Sequence, residues 1–211
     1  MLLEKIRAGQ SVAYVSDAGT PMVADPGFAL ARDAAREGLA VHAVPGPSAL
    51  LSALVVAGLP TDRFMFAGFL PPTKAARRKA IAELAGVPGT LVFYETARRC
   101  ADVLHALSAG LGAERDAALC RELTKKFEET RRGSLEELIQ SVAEDPPKGE
   151  IVILVDRDRG GADPEAMDHM LVKALETLSV KDAAKDVSEA LGLPRRDVYQ
   201  AALRLSALGK N

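Results

Sequence analysis

Between Val12 and Gly27 the chain reads Val-Ala-Tyr-Val-Ser-Asp-Ala-Gly-Thr-Pro-Met-Val-Ala-Asp-Pro-Gly, an apolar run broken by residues that specialise in backbone geometry. Val12 to Val15 suit a strand covered on both faces, and Ser16 to Pro21 stop it abruptly. Gly19 has no Cβ, so it admits a left-handed turn or the close approach of a ligand to the main chain. Pro21 fixes φ and donates no hydrogen bond. Such a turn at a strand's carboxyl edge offers peptide groups to a ligand, the place where open α/β sheets bind theirs. Val44-Pro45-Gly46-Pro47-Ser48 repeats the device about thirty residues later, at βαβ spacing, so the two turns can flank one cleft. The competing reading is an ordinary strand-to-helix connection in which Asp17 and Thr20 cap each other.

The elements that must position these turns follow from periodicity and punctuation. Leu2, Leu3 and Ile6 fit the end of a helix that exits through Ala8-Gly9-Gln10. Asp25 is the candidate N-cap, with Pro26 in the first turn, of a helix over Gly27–Gly38; a second strand runs from Ala40 to Val44. Ser48 caps a helix over Ala49–Ala57, closed by Gly58-Leu59-Pro60. Beyond a boundary near Thr61 come a strand from Phe64 to Leu70, a basic helix over Lys74–Leu84, a strand over Thr90–Tyr94 and a helix over Ala97–Leu107. A strand over Asp116–Arg121 precedes a polar segment from Glu122 to Gly133. Ser134 and Glu137 then make a capping box for a helix reaching Val142, and Glu150–Val155 is the last strand. Asp156 to Pro164 reads as a linker. The rest is helical, with a helix-turn-helix pattern across Val187–Tyr199 that turns at Gly192. The expected architecture is α/β, with two α/β domains flanking a cleft (residues 1–60 and 61–160) and a small C-terminal helical domain (164–211).

Composition narrows the function classes. A net charge of −2 gives no global attraction to polyanions, so contact with nucleic acid must come from local basic patches. Cys100 and Cys120 lack metal or redox spacing and read as core residues of a reduced, cytoplasmic protein. His42, His105 and His169 have no acidic or cysteine partner at ligand spacing, so no metal site is expected. The most apolar segment, Ala49–Leu59, is too short to cross a bilayer, and the first residues lack a signal-peptide pattern, so no membrane association is expected. Phe64, Phe66 and Phe69 read as core rather than as a stacking platform.

Six ordered stretches together resemble a known family: Ser16-Asp17-Ala18-Gly19-Thr20-Pro21 with Asp25-Pro26-Gly27, Val44-Pro45-Gly46-Pro47-Ser48-Ala49, Gly68-Phe69-Leu70-Pro71, Phe93-Tyr94-Glu95, Arg121-Glu122-Leu123-Thr124-Lys125 and Lys148-Gly149-Glu150. They are similar to the motifs of the tetrapyrrole (corrin/porphyrin) methylase family, in its branch that methylates a cytidine 2′-hydroxyl of bacterial 16S ribosomal RNA. The resemblance spans essentially the whole chain. It implies S-adenosylmethionine held in the cleft by Asp17, Ala18, Gly19 and Pro21 of the first turn, Ser48 and Ala49 of the second, and Tyr94, Glu95, Leu123 and Gly149 of the other domain. The partner it implies is the 16S RNA of the small ribosomal subunit. That cofactor carries no phosphate, so backbone-rich turns can read it without a lysine-bearing phosphate loop. A base near the acceptor hydroxyl would assist, and Glu95, Glu122 and Lys125 are the candidates. Lys74, Arg77, Arg78 and Lys79, then Lys125, Lys126, Arg131 and Arg132, then Arg195, Arg196 and Arg204 are three basic clusters that can track phosphates. In the second, Glu128 and Glu129 can instead balance Lys126, Arg131 and Arg132 as a solvated face.

The sequence departs from the family at its start, where members carry a further strand with a Gly-Thr-Pro-type loop, a helix and an acidic segment before the equivalent of Leu2. A truncated first domain, unpaired strand neighbours, an incomplete pocket and an edge covered by homodimer formation or by rearrangement are therefore expected. Two other readings stay open: methylation of a tetrapyrrole carbon, and an inactive fragment that binds RNA through its C-terminal domain.

Overall fold

The computed structural model describes residues 2–17, 19–157 and 164–208. Its sheet is built from β1 (Phe64–Phe69), β2 (Thr90–Thr96), β3 (Asp116–Arg121), β4 (Glu129–Ser134) and β5 (Glu150–Val155), in the order β1-β2-β5-β3-β4. β1 runs parallel to β2, and the other pairings are antiparallel, with Ile153 opposite both Phe93 and Leu119. Side chains of a strand alternate between faces, so the central strands β2, β3 and β5 feed two cores. Leu91, Phe93, Leu119, Ile151 and Ile153 face one way, against α4 (Lys74–Leu84), α5 (Ala97–Leu111) and α6 (Leu135–Glu144). Val92, Ala118, Cys120, Val152 and Leu154 face the other way, where Ala53, Leu54 and Ala57 of α3 (Ala49–Ala57) cover them. The helix expected in the first domain thus roofs the sheet of the second.

The sheet's two margins differ. β4 ends one side as a polar strand in which Arg131 pairs with Glu129 at 3.0 Å and Asp145 at 2.7 Å, while Arg132 Nε donates to the Val56 carbonyl of α3 at 3.1 Å. β1 ends the other, its register with β2 shifting between Phe66 and Gly68. β4 lies inside the stretch read from sequence as a polar connection. Its Glu-Thr-Arg-Arg-Gly-Ser composition carries no strand signal, and the exposed edge position explains why none is needed. Ser134 and Glu137 form the expected capping box for α6.

Residues before Ala49 depart most from expectation. α1 (Leu2–Arg7) and α2 (Phe28–Arg36) touch each other, joined by an Arg7–Glu37 ion pair. Val12–Val15 and Ala40–Val44 are not strands: among the described residues neither joins the sheet, and Val15 and Val44 are 83% and 86% exposed. An extended segment becomes a strand only when a neighbour takes up its N–H and C=O groups, and these two have none in the sheet. α2 also starts later than expected. Its cap is Gly27, with φ 118° and no side-chain hydrogen bond, rather than Asp25, so Pro26 lies outside the helix.

Asp156 and Arg157 are anchored rather than part of a linker. Asp156 is buried and its N–H donates to the Asp116 carbonyl at 2.8 Å, while Arg157 pairs with Asp62. Of the rest of that expected linker, residues 158–163 lie outside the described residues and Pro164 opens the next helix. Then α7 (Pro164–Leu175), α8 (Val180–Leu191) and α9 (Arg195–Leu208) pack around Leu171, Ala184, Val187, Val198 and Ala202. Gly192, left-handed at φ 64°, ends α8 where the turn of a helix-turn-helix was expected.

Candidate active site

Although their flanking segments are not strands, the two Pro/Gly turns come together. Thr20 Oγ1 donates to the Pro47 carbonyl at 3.2 Å, and a Cβ on Gly19 would stand 3.3 Å from that same oxygen. Thr20 therefore ties one turn to the other. α3 begins directly beyond the second turn: Ser48 Oγ accepts from Leu51 N–H at 3.4 Å, and the Tyr94 hydroxyl accepts from Leu50 N–H at 3.0 Å. Two of the helix's free N–H groups are thereby satisfied, one of them by a side chain from β2. Leu50, Tyr94 and Leu123 share the apolar cluster on this face. Ser48, Tyr94 and Leu123 are thus gathered around the α3 N-terminus, with Gly19 reaching it through Pro47. Asp17 is exposed and Pro21 half-buried in the first turn; Ala18 lies outside the described residues.

Gly149 and Glu122 form a second, contiguous corner. Glu122 Oε1 accepts from Glu150 N–H and from Lys125 Nζ, each at 3.0 Å, and Lys125 also reaches Glu150 at 3.0 Å. Gly149 has φ 89°, and a Cβ there would stand 2.4 Å from Glu122 Oε1, so only glycine leaves room for that carboxylate. Non-glycine residues with positive φ occur among the described residues at Met22, Ala24, Glu122 and Thr124. Met22 and Ala24 follow the first turn and Glu122 and Thr124 lie in the loop after β3, while the Gly46 turn has none. Backbone strain of this kind persists where surrounding structure enforces it, and it concentrates at ligand-binding loops.

The three base candidates fare differently. Glu95 alternates to the α5 face, away from Tyr94, where it is buried, accepts from Thr96 N–H at 2.8 Å and pairs with Arg99 at 3.2 Å. Arg99 in turn donates to the Leu70 carbonyl at 2.6 Å, so Glu95 fastens the end of β1 instead of facing the turns. The Glu150 N–H and the Lys125 ammonium hold the Glu122 carboxyl below its ordinary value, which weakens it as a base. Hydrogen bonds to Glu122 and Glu150 push Lys125 upward, so it stays protonated at neutral pH and acts as a donor or cation, not as a base.

Sequence reasoning missed the aromatic surroundings of Tyr94. Phe66 and Phe69 meet its ring edge-on, with centroids 4.7 and 5.9 Å away. Phe66 is part of the packed cluster, whereas Phe64 and Phe69 are 44% and 52% exposed and are not core. The register shift between Phe66 and Gly68, with Gly68 at φ 66°, lies just before Phe69, and the Gly-Phe pair was the available signal. Both cysteines are free and buried, and burial pushes the Cys100 thiol up to about 12. In the second basic cluster Arg131 and Arg132 are committed to structural contacts, and in the third Arg204 pairs with Asp168 of α7 at 2.8 Å.

Residues 1–139 match the family model described as tetrapyrrole (corrin/porphyrin) methylases. The chain belongs to that family. Residues 161–206 of this methylase match a second model, described as the RsmI C-terminal HTH domain, which covers α7, α8 and most of α9. Proteins named ribosomal RNA small subunit methyltransferase I from Mesorhizobium japonicum and Mycobacterium tuberculosis are each 44% identical to it. The matches cover 97% and 96% of this chain and 70% and 72% of theirs. Among solved structures, a cobalt precorrin-4 methyltransferase is 17% identical at a TM-score of 0.53, covering 74% of this chain and 67% of its own. The methyltransferase CobJ is 22% identical at 0.54, covering 74% and 68%. Both likenesses concern the fold. As a member of the family this methylase is an S-adenosylmethionine-dependent methyltransferase. Its residues fit that donor: exposed peptide-rich turns joined at Pro47 and the apolar Tyr94–Leu123 surface beside them. Among the described residues no helix is long and apolar enough to cross a membrane.

Proposed function

We propose that this methylase transfers a methyl group to the 2′-hydroxyl of a cytidine in the 16S RNA of the small ribosomal subunit. The observation that carries the site is the meeting of the Gly19 and Gly46 turns at the capped start of α3, beside Tyr94. The acceptor is supported by the relatives named as small-subunit ribosomal RNA methyltransferases and by the C-terminal helical match. In this reading Asp17, Ala18, Gly19 and Pro21 hold the donor from one side, Ser48 and Ala49 from the second turn, and Tyr94, Leu123 and Gly149 from the sheet. The cofactor supplies an electrophilic methyl on a sulfonium, to be displaced in line. The chain's part is then to place the ribose oxygen behind that methyl, its proton passing to solvent as the bond forms, since the Glu122 carboxylate is already engaged by Glu150 N–H and Lys125 and the Lys125 amine is protonated. Lys125 and Glu122 shape the loop that carries Leu123. The division into residues 1–60, 61–160 and 164–211, a homodimer and a cytoplasmic location belong to the same proposal.

The test is incubation of the chain with methyl-labelled S-adenosylmethionine and small ribosomal subunits, beside a corrin precursor. The expected result is label in the 16S RNA at a nucleotide whose 3′ linkage has become resistant to alkali. Label on the macrocycle alone would overturn the acceptor. Absence of cofactor binding by calorimetry would leave only the RNA-binding fragment.

A further inference from the structure

On the sheet face opposite α3, α4 and α5 enclose a groove of about 460 Å³. Lys74, Arg77 and Arg78 of α4 line it with Asp102 and His105 of α5. Gly110 lets the helices close at one end, where a Cβ would stand 2.6 Å from Ile81 Cγ2. Lys74 and Arg78 are exposed, as expected of a solvated helix face, but Arg77 between them is 4% exposed. Its Nε has no hydrogen-bond partner, and no ion pair joins it to Asp102 or to another carboxylate among the described residues. Several half-buried guanidiniums elsewhere have carboxylate partners, Arg99 with Glu95, Arg121 with Glu129, Arg131 with Glu129 and Asp145, and Arg157 with Asp62, although Arg99 Nε, like Arg77 Nε, lacks a hydrogen bond of its own. Arg77 Nε is a donor that the folded chain leaves shut away and unsatisfied, and an anion entering the groove would meet the guanidinium there.

We infer that the α4–α5 groove holds a stretch of RNA backbone, with a phosphodiester on Arg77 flanked by Lys74 and Arg78, and a ribose 2′-hydroxyl on Asp102. A planar guanidinium matches two phosphate oxygens at once, and two further cations beside it suit an anion that recurs along a chain. The single carboxylate beside three cations in a lining otherwise mostly apolar opposes a second phosphate but accepts a hydrogen bond from a hydroxyl, which RNA has and DNA lacks. This subsite rests on the reading of RNA as substrate. Because it lies on the far face of the sheet from the Tyr94 cluster, it anchors the substrate without touching the reacting atoms.

The test uses the full chain with Arg77→Gln, the exposed double variant Lys74→Gln/Arg78→Gln, and Asp102→Asn. Affinity for a small-subunit RNA fragment and for DNA of the same sequence is measured across a salt series, with S-adenosylmethionine calorimetry alongside. Arg77→Gln should weaken RNA binding by about tenfold or more, and each lost phosphate contact should flatten the salt slope by about 0.7 to 1. Cofactor affinity should not move, and KM for RNA should rise with kcat retained. Asp102→Asn should erase most of the preference for RNA over DNA. If Arg77→Gln fails to fold, the double variant still reads the groove through its salt slope. RNA binding by the parent chain that the variants keep at full strength overturns the subsite and spares the substrate assignment. Absence of RNA binding by the parent chain overturns both.

Discussion

Val12–Val15 and Ile151–Val155 are runs of similar residues with opposite fates. The second lies between β2 and β3, covered by α3 on one face and α5 on the other, with Ile153 fully inaccessible. The first lies in solvent with its turn held to a neighbouring loop by one threonine. Apolar composition supplies the tendency to be buried; adjacent strands and a covering helix supply the place. The site bridges these two regimes. Its turns belong to the exposed part, and Tyr94 and Leu123 belong to the packed part.

Stability measurements should separate the regions most strongly. Leu119→Ala, at the centre of the sheet, should cost about 2–5 kcal/mol in urea unfolding, whereas Val15→Ala and Val44→Ala should stay within about 0.5 kcal/mol. A loss at Val15 approaching that at Leu119 would mean the segment is paired in solution, and the contrast would fail. A smaller effect is expected where the regions meet. Tyr94→Phe removes the acceptor for Leu50 N–H and should lower stability by about 1 kcal/mol while weakening S-adenosylmethionine binding in calorimetry. Unchanged cofactor affinity would detach Tyr94 from the site. The smallest effect is electrostatic. Glu122 is held below its ordinary value of 4.5, so its contribution is present above that pH and fades as pH falls through the lowered folded value. Glu122→Gln should therefore lower stability at neutral pH and flatten the acid side of the profile, so that the two proteins converge as pH falls; an identical acid limb in both proteins would remove the Glu150 and Lys125 contacts from the account.

Where structure follows from local chemistry, the sequence was sufficient. The helix over Lys74–Leu84, the strands over Asp116–Arg121 and Glu150–Val155, the Ser48 cap and the Ser134–Glu137 box all lie where residue types put them. The two turns were legible for the same reason, since Pro and Gly announce a reversal whatever surrounds it. Long-range circumstances were not. Nothing in Val-Ala-Tyr-Val reports whether a strand lies beside it, nothing in Glu-Thr-Arg-Arg marks an edge strand, and Glu95 reads as polar and available until its pairing with Arg99 is seen. The same limit applied to Arg77, one of four basic residues in a short helix, whose distinction is a burial that sequence does not display.

The unlike margins of the sheet also bear on how copies of the molecule meet. An outermost strand bearing Glu129, Arg131 and Arg132, with its arginines already engaged, is a poor template for an incoming chain. The opposite border exposes Phe64, Met65 and Phe69, and only the irregularity at Gly68 interrupts it. Intermolecular strand addition in concentrated solution would therefore begin beside the phenylalanines, which places the protein's aggregation liability next to the aromatic group around Tyr94.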